Sequence, residues 1–348
     1  MKKSNFFFLL FVIFILVCCR NKSNEIYQNK ADDFMDSLAV SEGKTYCVIL
    51  IDTSYYLSKK YINSLNSNLP NISKKAVINI IDVSEDNYIE YLKLLQPKSL
   101  PVACIFNKKG ELFDIIPGYS KESFLYINEA ISSLRTTDYH WPNLFGTNKA
   151  KVLPVLSAVF NNRKTLLNQN NKIDKFVTIP NSVEYPFSVY VNLLIAKNKK
   201  DSLLVEKQAK KLLKLKNSIA LQLYKNEFIE AEKVLDPNFD LNEQANIRVE
   251  TKNIKLENCR INQSYPIDIV INNDGLKSLK LEKIWNSCSC VRLLSDDKNI
   301  VVKGKTSYTA KFKFTPLDVG EVYRNIYIES EAYNNPLLNI KIHAIVNQ

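Results

Sequence analysis

Residues 271–293 read INNDGLKSLKLEKIWNSCSCVRL, and this stretch indicates how the C-terminal part of the chain folds. Apolar and polar residues alternate in short runs on both sides of the turn-forming sequence NNDG. This is the pattern of strands that bury one face. Similar runs fill residues 245–348, where NNP marks a further turn. About seven short strands within about a hundred residues predict an Ig-like β-sandwich.

The motifs of residues 241–348 resemble those of a domain-of-unknown-function family of secreted bacterial sandwiches. The resemblance rests on an Asn-x-Gly turn, the Ser-Cys-x-Cys motif at 287–290, a Phe-x-Phe strand and a final Asn-Pro turn. Ser289 replaces the glycine of the family motif, and Lys303–Gly304 replaces its Pro-Gly turn. The family is similar to the abnormal-spindle and major-sperm-protein group. The resemblance therefore implies a fold but no reaction.

Cys288 and Cys290 are separated by a single residue. In a regular strand such residues share one face with Cα atoms roughly 6.5 to 7 Å apart, at or beyond the upper limit for a disulfide. A bend at Ser289 would bring them closer. The sequence favours structural thiols, or a disulfide that involves Cys259. A redox-responsive pair stays open, as does a Cu(I) or Zn(II) site with Cys259 and His343 as further ligands.

Residues 43–136 alternate strands and helices. The apolar runs at 46–52 and 74–84 are typical of buried strands, and each is followed by a helical pattern. The sequence around NKKG then predicts a hairpin over residues 102–116. Ser120 stands where the N-cap of a closing helix is expected.

The sequence SLPVACIFNKKGELFDIIPGY, residues 99–119, resembles the thioredoxin segment that contains the cis-proline. The resemblance implies a thioredoxin-like fold and a cis bond before Pro101. Related bacterial lipoproteins have a Cys-x-x-Cys pair at the first helix, where this chain has Tyr56 and Lys59. Thiol–disulfide exchange needs an attacking and a resolving thiol, so we predict that this domain has lost oxidoreductase activity.

Cys47 and Cys104 do not replace the missing pair. Each lies within an apolar run, YCVIL or VACIF, that is expected to form a strand. A free cysteine in such a strand usually acts as a small hydrophobic residue. We therefore predict structural roles for both.

Residues 137–240 are predicted to form a helical connector between the two domains. The pattern is weak before Pro186 and helical after it, with Ser, Asp or Asn at or near the start of each helical run. The formal net charge of the chain is +11, and basic residues are concentrated at 196–216. Because no nucleic-acid motif accompanies them, we interpret them as solvated surface, with contact to anionic lipid or envelope polymer as the alternative.

Residues 1–18 are typical of a bacterial lipoprotein signal peptide, with a basic start and an apolar run too short for an ordinary membrane span. The sequence LVCC resembles a lipoprotein box and implies that Cys19 is lipidated. Residues 19–42 then form a polar tether. Lipidation at Cys18 and an uncleaved signal anchor are the alternatives.

These patterns predict a lipid-anchored protein of the cell envelope, on the periplasmic or surface side of what we expect to be the outer membrane. We expect it to bind a protein or peptide partner, without enzymatic activity, cofactor or nucleic acid. Tyr55, Tyr56 and Lys59 are predicted to line a peptide-binding groove beside the cis-proline. The alternative function is thiol-dependent redox chemistry or soft-metal handling through Cys288 and Cys290.

Overall fold

The computed structural model describes residues 45–53, 56–68, 72–83, 89–97, 99–141, 145, 148–167, 175–295 and 300–348. The predicted signal peptide, the lipidation site Cys19 and the tether lie outside these residues. The described residues fall into two compact units. The first is formed by residues 45–167 and 177–183, and the second by residues 175–176 and 184–348.

The first unit contains a four-stranded mixed sheet in the order β2-β1-β3-β4. Its strands are β1 (Thr45–Ile51), β2 (Ala76–Asp82), β3 (Val102–Phe106) and β4 (Leu112–Pro117). β1 pairs in parallel with β2 and antiparallel with β3, and β3 pairs antiparallel with β4. Every residue of β1 and β3 is buried, as expected for strands covered on both faces.

Four helices within the described residues accompany this sheet: α1 (Tyr56–Asn68), α2 (Ile89–Leu95), α3 (Lys121–Ser133) and α4 (Lys149–Leu167). Ser120 caps α3, because its hydroxyl accepts a hydrogen bond from the backbone N–H of Ser123. The N-cap prediction is therefore confirmed. The Leu100–Pro101 peptide bond is cis. The thioredoxin-like assignment of this unit stays a prediction.

Helix α4 does not follow from the sequence pattern, because Pro154 stands inside it. An internal proline removes one backbone hydrogen bond of a helix. Buried apolar side chains on both sides of Pro154 pack this helix against β4 nevertheless. The ammonium group of Lys149 also lies 2.6 Å from the buried Asp114 carboxylate of β4. The predicted connector is thus divided, with α4 in the first unit and the later helices in the second.

The second unit begins with the helices α5 (Pro186–Asn198), α6 (Ser202–Leu213) and α7 (Ser218–Leu235). Asp201 and Asn217 are the N-caps of α6 and α7, each accepting a hydrogen bond from a backbone N–H. α6 packs against both of its neighbours. In the described parts of the chain, no helix is long and apolar enough to cross a membrane.

The rest of the second unit is a sandwich of two sheets, with strand orders β10-β8-β12-β13-β6 and β5-β7-β11-β9. Its strands are β5 (Ile247–Val249), β6 (Asn253–Arg260), β7 (Tyr265–Asn273), β8 (Leu279–Asn286), β9 (Val291–Leu293), β10 (Val301–Val302), β11 (Ser307–Phe314), β12 (Gly320–Ser330) and β13 (Leu337–Asn347). Alternate residues of β7, β11 and β13 face a common apolar core. The predicted C-terminal β-sandwich is confirmed.

The five-stranded sheet has one parallel pair, β13 with β6, and β6 lies at the edge beside β13. Helix α7 contacts β12 and β13. At the start of this helix, the Ser218 hydroxyl lies 3.1 Å from a carboxylate oxygen of Glu329, and the Ser218 N–H donates to Glu282 at 3.1 Å. These contacts join the helices of the second unit to its sandwich.

Candidate functional site

Cys288 and Cys290 form a disulfide in the turn that connects β8 to β9. Because β8 ends at Asn286, the two cysteines do not lie in a regular strand, and their Cα atoms are 5.2 Å apart. This separation is within the usual range for a disulfide. The prediction of a disulfide with Cys259 is wrong, because Cys259 is a free thiol, 1% exposed, in the sandwich core.

Both sheets hold this turn through backbone hydrogen bonds. From the five-stranded sheet, the N–H of Ser287 donates to the carbonyl of Asn325 at 3.0 Å, and the N–H of Asn325 donates to the Ser287 hydroxyl at 2.9 Å. Just beyond β11 in the other sheet, the N–H of Thr315 donates to the Cys290 carbonyl at 2.8 Å. The bend is therefore fixed by contacts that do not involve the sulfur atoms.

The two sulfur atoms have different surroundings. Cys290 is 5% exposed, and its Sγ accepts a hydrogen bond from Nε of Arg324 at 3.2 Å. Cys288 is half-buried, and its Sγ accepts from the backbone N–H of Cys290 at 3.1 Å. Ser289 between them is exposed. The guanidinium of Arg324 thus contacts the buried Cys290 sulfur, which we call the inner sulfur. The Cys288 sulfur, the outer one, belongs to the more exposed residue.

Arg324 was not among the predicted site residues, although the sequence contains a signal for it. It stands on β12 at an inward position, between the buried residues Val322 and Ile326. A charged residue in an otherwise apolar register is unusual and indicates a specific partner. Its guanidinium is oriented by two further contacts, to the Asp318 carboxylate at 3.2 Å and to the Tyr323 carbonyl at 2.8 Å.

The ligand set considered for a metal site is not brought together. Cys259 faces the core, whereas His343 lies on the opposite face of the same sheet and stacks on the Tyr323 ring at 4.5 Å. Cys288 and Cys290 use their sulfur atoms in the disulfide. Within the described ranges, no three His, Cys, Asp or Glu side chains form a cluster that could hold a metal ion.

The outer face of the five-stranded sheet contains a second feature that the sequence did not reveal. Trp285 and Tyr327 stack with ring centroids 4.0 Å apart, across the pairing of β8 with β12. Tyr323 and His343 stack in the same way across the pairing of β12 with β13. We call these four residues the outer aromatic patch. Tyr323 is 62% exposed, so the patch is open to solvent at this end.

The thioredoxin-like positions contain no described thiol that is ready to react. Tyr56 begins α1 and Lys59 is exposed on it, but Tyr55 and the side chain of Tyr56 lie outside the described residues. Burial raises the pKa of Cys47 to about 12. Burial, followed by the charges of Cys47 and Asp114, raises the pKa of Cys104 well above its ordinary value. The groove predicted beside Pro101 stays a prediction.

Residues 247–346 match the family DUF1573, described as a protein of unknown function. The sandwich is similar to DUF1573 domains. The match covers β5–β13 almost completely and includes Cys288, Cys290 and Arg324. The predicted relation of the C-terminal residues to a domain-of-unknown-function family is therefore confirmed. No match was found among curated proteins.

Several solved structures are similar to part of the chain. The ASH/PapD-like domain of human CEP192 has 10% identity and a TM-score of 0.26, over 32% of this chain and 90% of that chain. A protein of unknown function from Porphyromonas gingivalis has 15% identity and a TM-score of 0.27, over 32% of this chain and 50% of that one. SSP-19 of Caenorhabditis elegans, an MSP-domain protein like family member, has 11% identity and a TM-score of 0.21, over 25% of this chain and 94% of that chain.

Proposed function

We propose that this chain is a lipid-anchored envelope protein that binds a partner protein through the outer aromatic patch of its DUF1573 domain. The lipid at Cys19 would keep the protein at the membrane, and the two units would extend from the tether. The observation that carries the binding role is the exposed Tyr323 ring stacked on His343, from which the patch continues along β12 to the stacked pair Trp285 and Tyr327.

The composition of the patch supports a protein partner. The solvated face of an antiparallel sheet is normally polar. Trp and Tyr are enriched at the centres of protein interfaces, where they bury a large area at little conformational cost. Charged residues border the rings. Glu321 accepts a hydrogen bond from the Tyr323 hydroxyl at 2.7 Å, and Glu329 accepts one from Nε1 of Trp285 at 2.7 Å. An apolar centre with a polar border is the usual anatomy of an interface.

The first unit supports binding rather than catalysis. Its two cysteines, Cys47 and Cys104, are 0% and 2% exposed, and neither is available to a substrate. Tyr56 and Lys59 occupy the positions at which the thioredoxin resemblance would require cysteines. We propose that this unit has a thioredoxin-like fold that serves as a structural or binding module without thiol chemistry of its own.

Site-specific photo-crosslinking in intact cells tests the binding proposal. A benzophenone amino acid at position 323 should yield a defined crosslinked adduct with a protein partner. The matched control is position 309, since Thr309 is exposed on β11, in the other sheet of the sandwich. Adducts at 323 and none at 309 support the proposal. Equal adducts at both positions, or none at 323, would exclude this patch as the binding surface.

A further inference from the structure

We propose that the Cys288–Cys290 disulfide exchanges with a protein dithiol, with Cys288 as the sulfur that is attacked and Cys290 as the leaving group. This inference goes beyond the binding proposal, because it adds a chemical step at the turn that follows β8. The exchange uses none of the four rings of the outer aromatic patch, although the turn lies beside the patch through its hydrogen bonds to Asn325 of β12. It rests on the geometry of the turn, on the difference in burial between the two sulfur atoms and on the contact with Arg324.

The disulfide adds little to the fold, which argues against a purely structural role. Cross-links stabilise a protein mainly by restricting its unfolded chain, and the effect grows with the length of the closed loop. The loop closed by Cys288 and Cys290 is one of the shortest that a chain can form. The backbone hydrogen bonds of Ser287, Asn325 and Thr315 already hold the turn. The same bonds would keep the two thiols close together after reduction.

The surroundings of the two sulfur atoms give the exchange a direction. An incoming thiolate reaches Cys288 more readily, because Cys288 is half-buried whereas Cys290 is 5% exposed. Attack on Cys288 expels Cys290 as a thiolate, and a leaving thiolate departs faster when its negative charge is stabilised. Nε of Arg324, at 3.2 Å from the Cys290 sulfur, supplies that stabilisation.

The exchange balances as a two-electron transfer. The first substrate thiolate forms a bond to the Cys288 sulfur, and the bond between the Cys288 and Cys290 sulfur atoms breaks. The second substrate thiol, as its thiolate, attacks the substrate sulfur of this mixed disulfide and expels Cys288. The two protons released by the substrate thiols return through water to Cys288 and Cys290. The substrate dithiol is thereby oxidised to a disulfide, and the cysteine pair of the sandwich is reduced.

A protein dithiol is the substrate class that fits the location. The turn lies at the end of the sandwich, and the exposed Ser287 and Ser289 flank the sulfur that is attacked. Small polar neighbours leave room for a bulky polypeptide to approach Cys288. The exposed Arg292 on β9 adds positive charge near the turn and would attract a substrate thiolate.

The first experiment compares single-cysteine variants of the full-length chain. Cys290→Ser retains the outer thiol, and Cys288→Ser retains the inner one. Each is reduced and then mixed with an oxidised two-cysteine model peptide, and mixed disulfides are counted by mass spectrometry. The double variant provides the background from the other cysteines. We expect Cys290→Ser to form the adduct about tenfold faster than Cys288→Ser. Equal rates, or rates at background, would overturn the proposal.

The second experiment isolates Arg324. The oxidised full-length chain is reduced by dithiothreitol, and the rate is followed by thiol alkylation. Arg324→Gln should slow reduction by about three- to tenfold, because the leaving Cys290 thiolate loses its cation. Arg292→Gln removes the same charge without a contact to the sulfur and should stay within about twofold of the wild type. Equal rates for the two variants would show that Arg324 has no role in the exchange.

Arg324→Lys covers the case in which Arg324→Gln does not fold. It keeps the positive charge, and we expect its reduction rate to lie between those of Arg324→Gln and the wild type. The melting temperature of each variant is measured beforehand, so that only folded variants enter the comparison. A folded Arg324→Lys that is reduced more slowly than a folded Arg324→Gln would contradict the stabilising role of the charge.

Discussion

Surroundings decide what each cysteine of this chain does. Cys47 and Cys104 stand in strands that are buried along their whole length, and their thiols are held in the protonated form. Cys259 lies in the core of the sandwich. Only Cys288 and Cys290, among the described cysteines, stand in a turn, and there one sulfur meets a guanidinium. The residue type is the same throughout. The position in the fold, within a strand or in a turn beside a guanidinium, distinguishes the free thiols from the disulfide.

The first prediction concerns the response of the first unit to alkali. Burial raises the pKa of Cys47 to about 12, whereas a thiol in an unfolded chain ionises near pH 8.5. The stabilising contribution of the protonated thiol is therefore complete below about pH 8.5 and is lost as pH rises towards 12. Over this window the wild type should lose about 1.4 kcal/mol more of its unfolding free energy per pH unit than Cys47→Ala.

Urea unfolding followed by the fluorescence of Trp141 measures this difference. Trp141 belongs to the first unit, and a Trp285→Phe background removes the signal of the second. Cys259→Ala is the matched control, since Cys259 is also a buried free thiol but belongs to the second unit. The control should leave the pH slope unchanged. Identical slopes for Cys47→Ala and the wild type would contradict the assignment of the effect to Cys47.

At the scale of elements, a buried carboxylate fixes one helix to its sheet. Asp114 on β4 is 0% exposed and accepts hydrogen bonds from the N–H of Thr137 at 2.9 Å and from the Thr137 hydroxyl at 2.7 Å. It also accepts from the N–H of Ile115 at 2.8 Å and from the ammonium group of Lys149, at the start of α4. Thr137 and Lys149 lie 23 and 35 residues from Asp114 in the sequence. The local pattern of β4 or of α4 alone therefore does not indicate this network. Together with Pro154, this explains why α4 could not be predicted.

The second prediction is that Asp114→Asn destabilises the first unit by about 3 to 5 kcal/mol. The amide keeps the size of the side chain but leaves the nearly buried Lys149 without a counter-ion. Urea unfolding measures the cost. Glu111→Gln is the control, since Glu111 is exposed just before β4 and its replacement should cost less than about 0.5 kcal/mol. Similar costs for both variants would argue against a structural role of the buried pair.

The third prediction concerns the turn between β10 and β11. A Cβ atom at Gly304 would lie 2.0 Å from the carbonyl oxygen of Leu276, a backbone atom that cannot rotate away. A Cβ atom at Gly320 would meet no atom within 4 Å, although the φ of +102° there is unfavourable for alanine. Gly304→Ala should therefore lower the melting temperature of the sandwich at least about twice as much as Gly320→Ala. Calorimetry that found the reverse order would refute this interpretation.

At the scale of the whole molecule, the sequence pattern predicted the secondary-structure elements better than it predicted contacts between residues that are distant in sequence. Alternation in the last hundred or so residues predicted the sandwich, and capping residues such as Asp201 and Asn217 marked the later helices. The bend at 287–290 could not be predicted, because its hydrogen bonds come from Asn325 and Thr315, which are distant in sequence. The contact of Arg324 with Cys290 depends on the pairing of whole strands, and a local pattern does not contain that information.

The fourth prediction concerns attachment to the membrane. Cys19→Ser should abolish metabolic labelling with palmitate and move the protein out of the membrane fraction, because we propose that Cys19 carries the lipid. Cys18→Ser is the adjacent control and should leave labelling intact. Labelling that persists in Cys19→Ser and disappears in Cys18→Ser would assign the anchor to Cys18 instead. Measuring both variants side by side distinguishes these outcomes.

The parallel pairing of β13 with β6 determines when the sandwich can be completed during biosynthesis. A ribosome releases β6 long before it releases β13, and in the final order β6 lies at the edge beside β13. β6 can therefore join the sheet only after residues 337–347 have been synthesised and have formed β13. The five-stranded sheet is complete only after residues 337–347 have left the ribosome, and a premature stop codon just before Leu337 would leave two strands, β12 and β6, without the neighbour that they share.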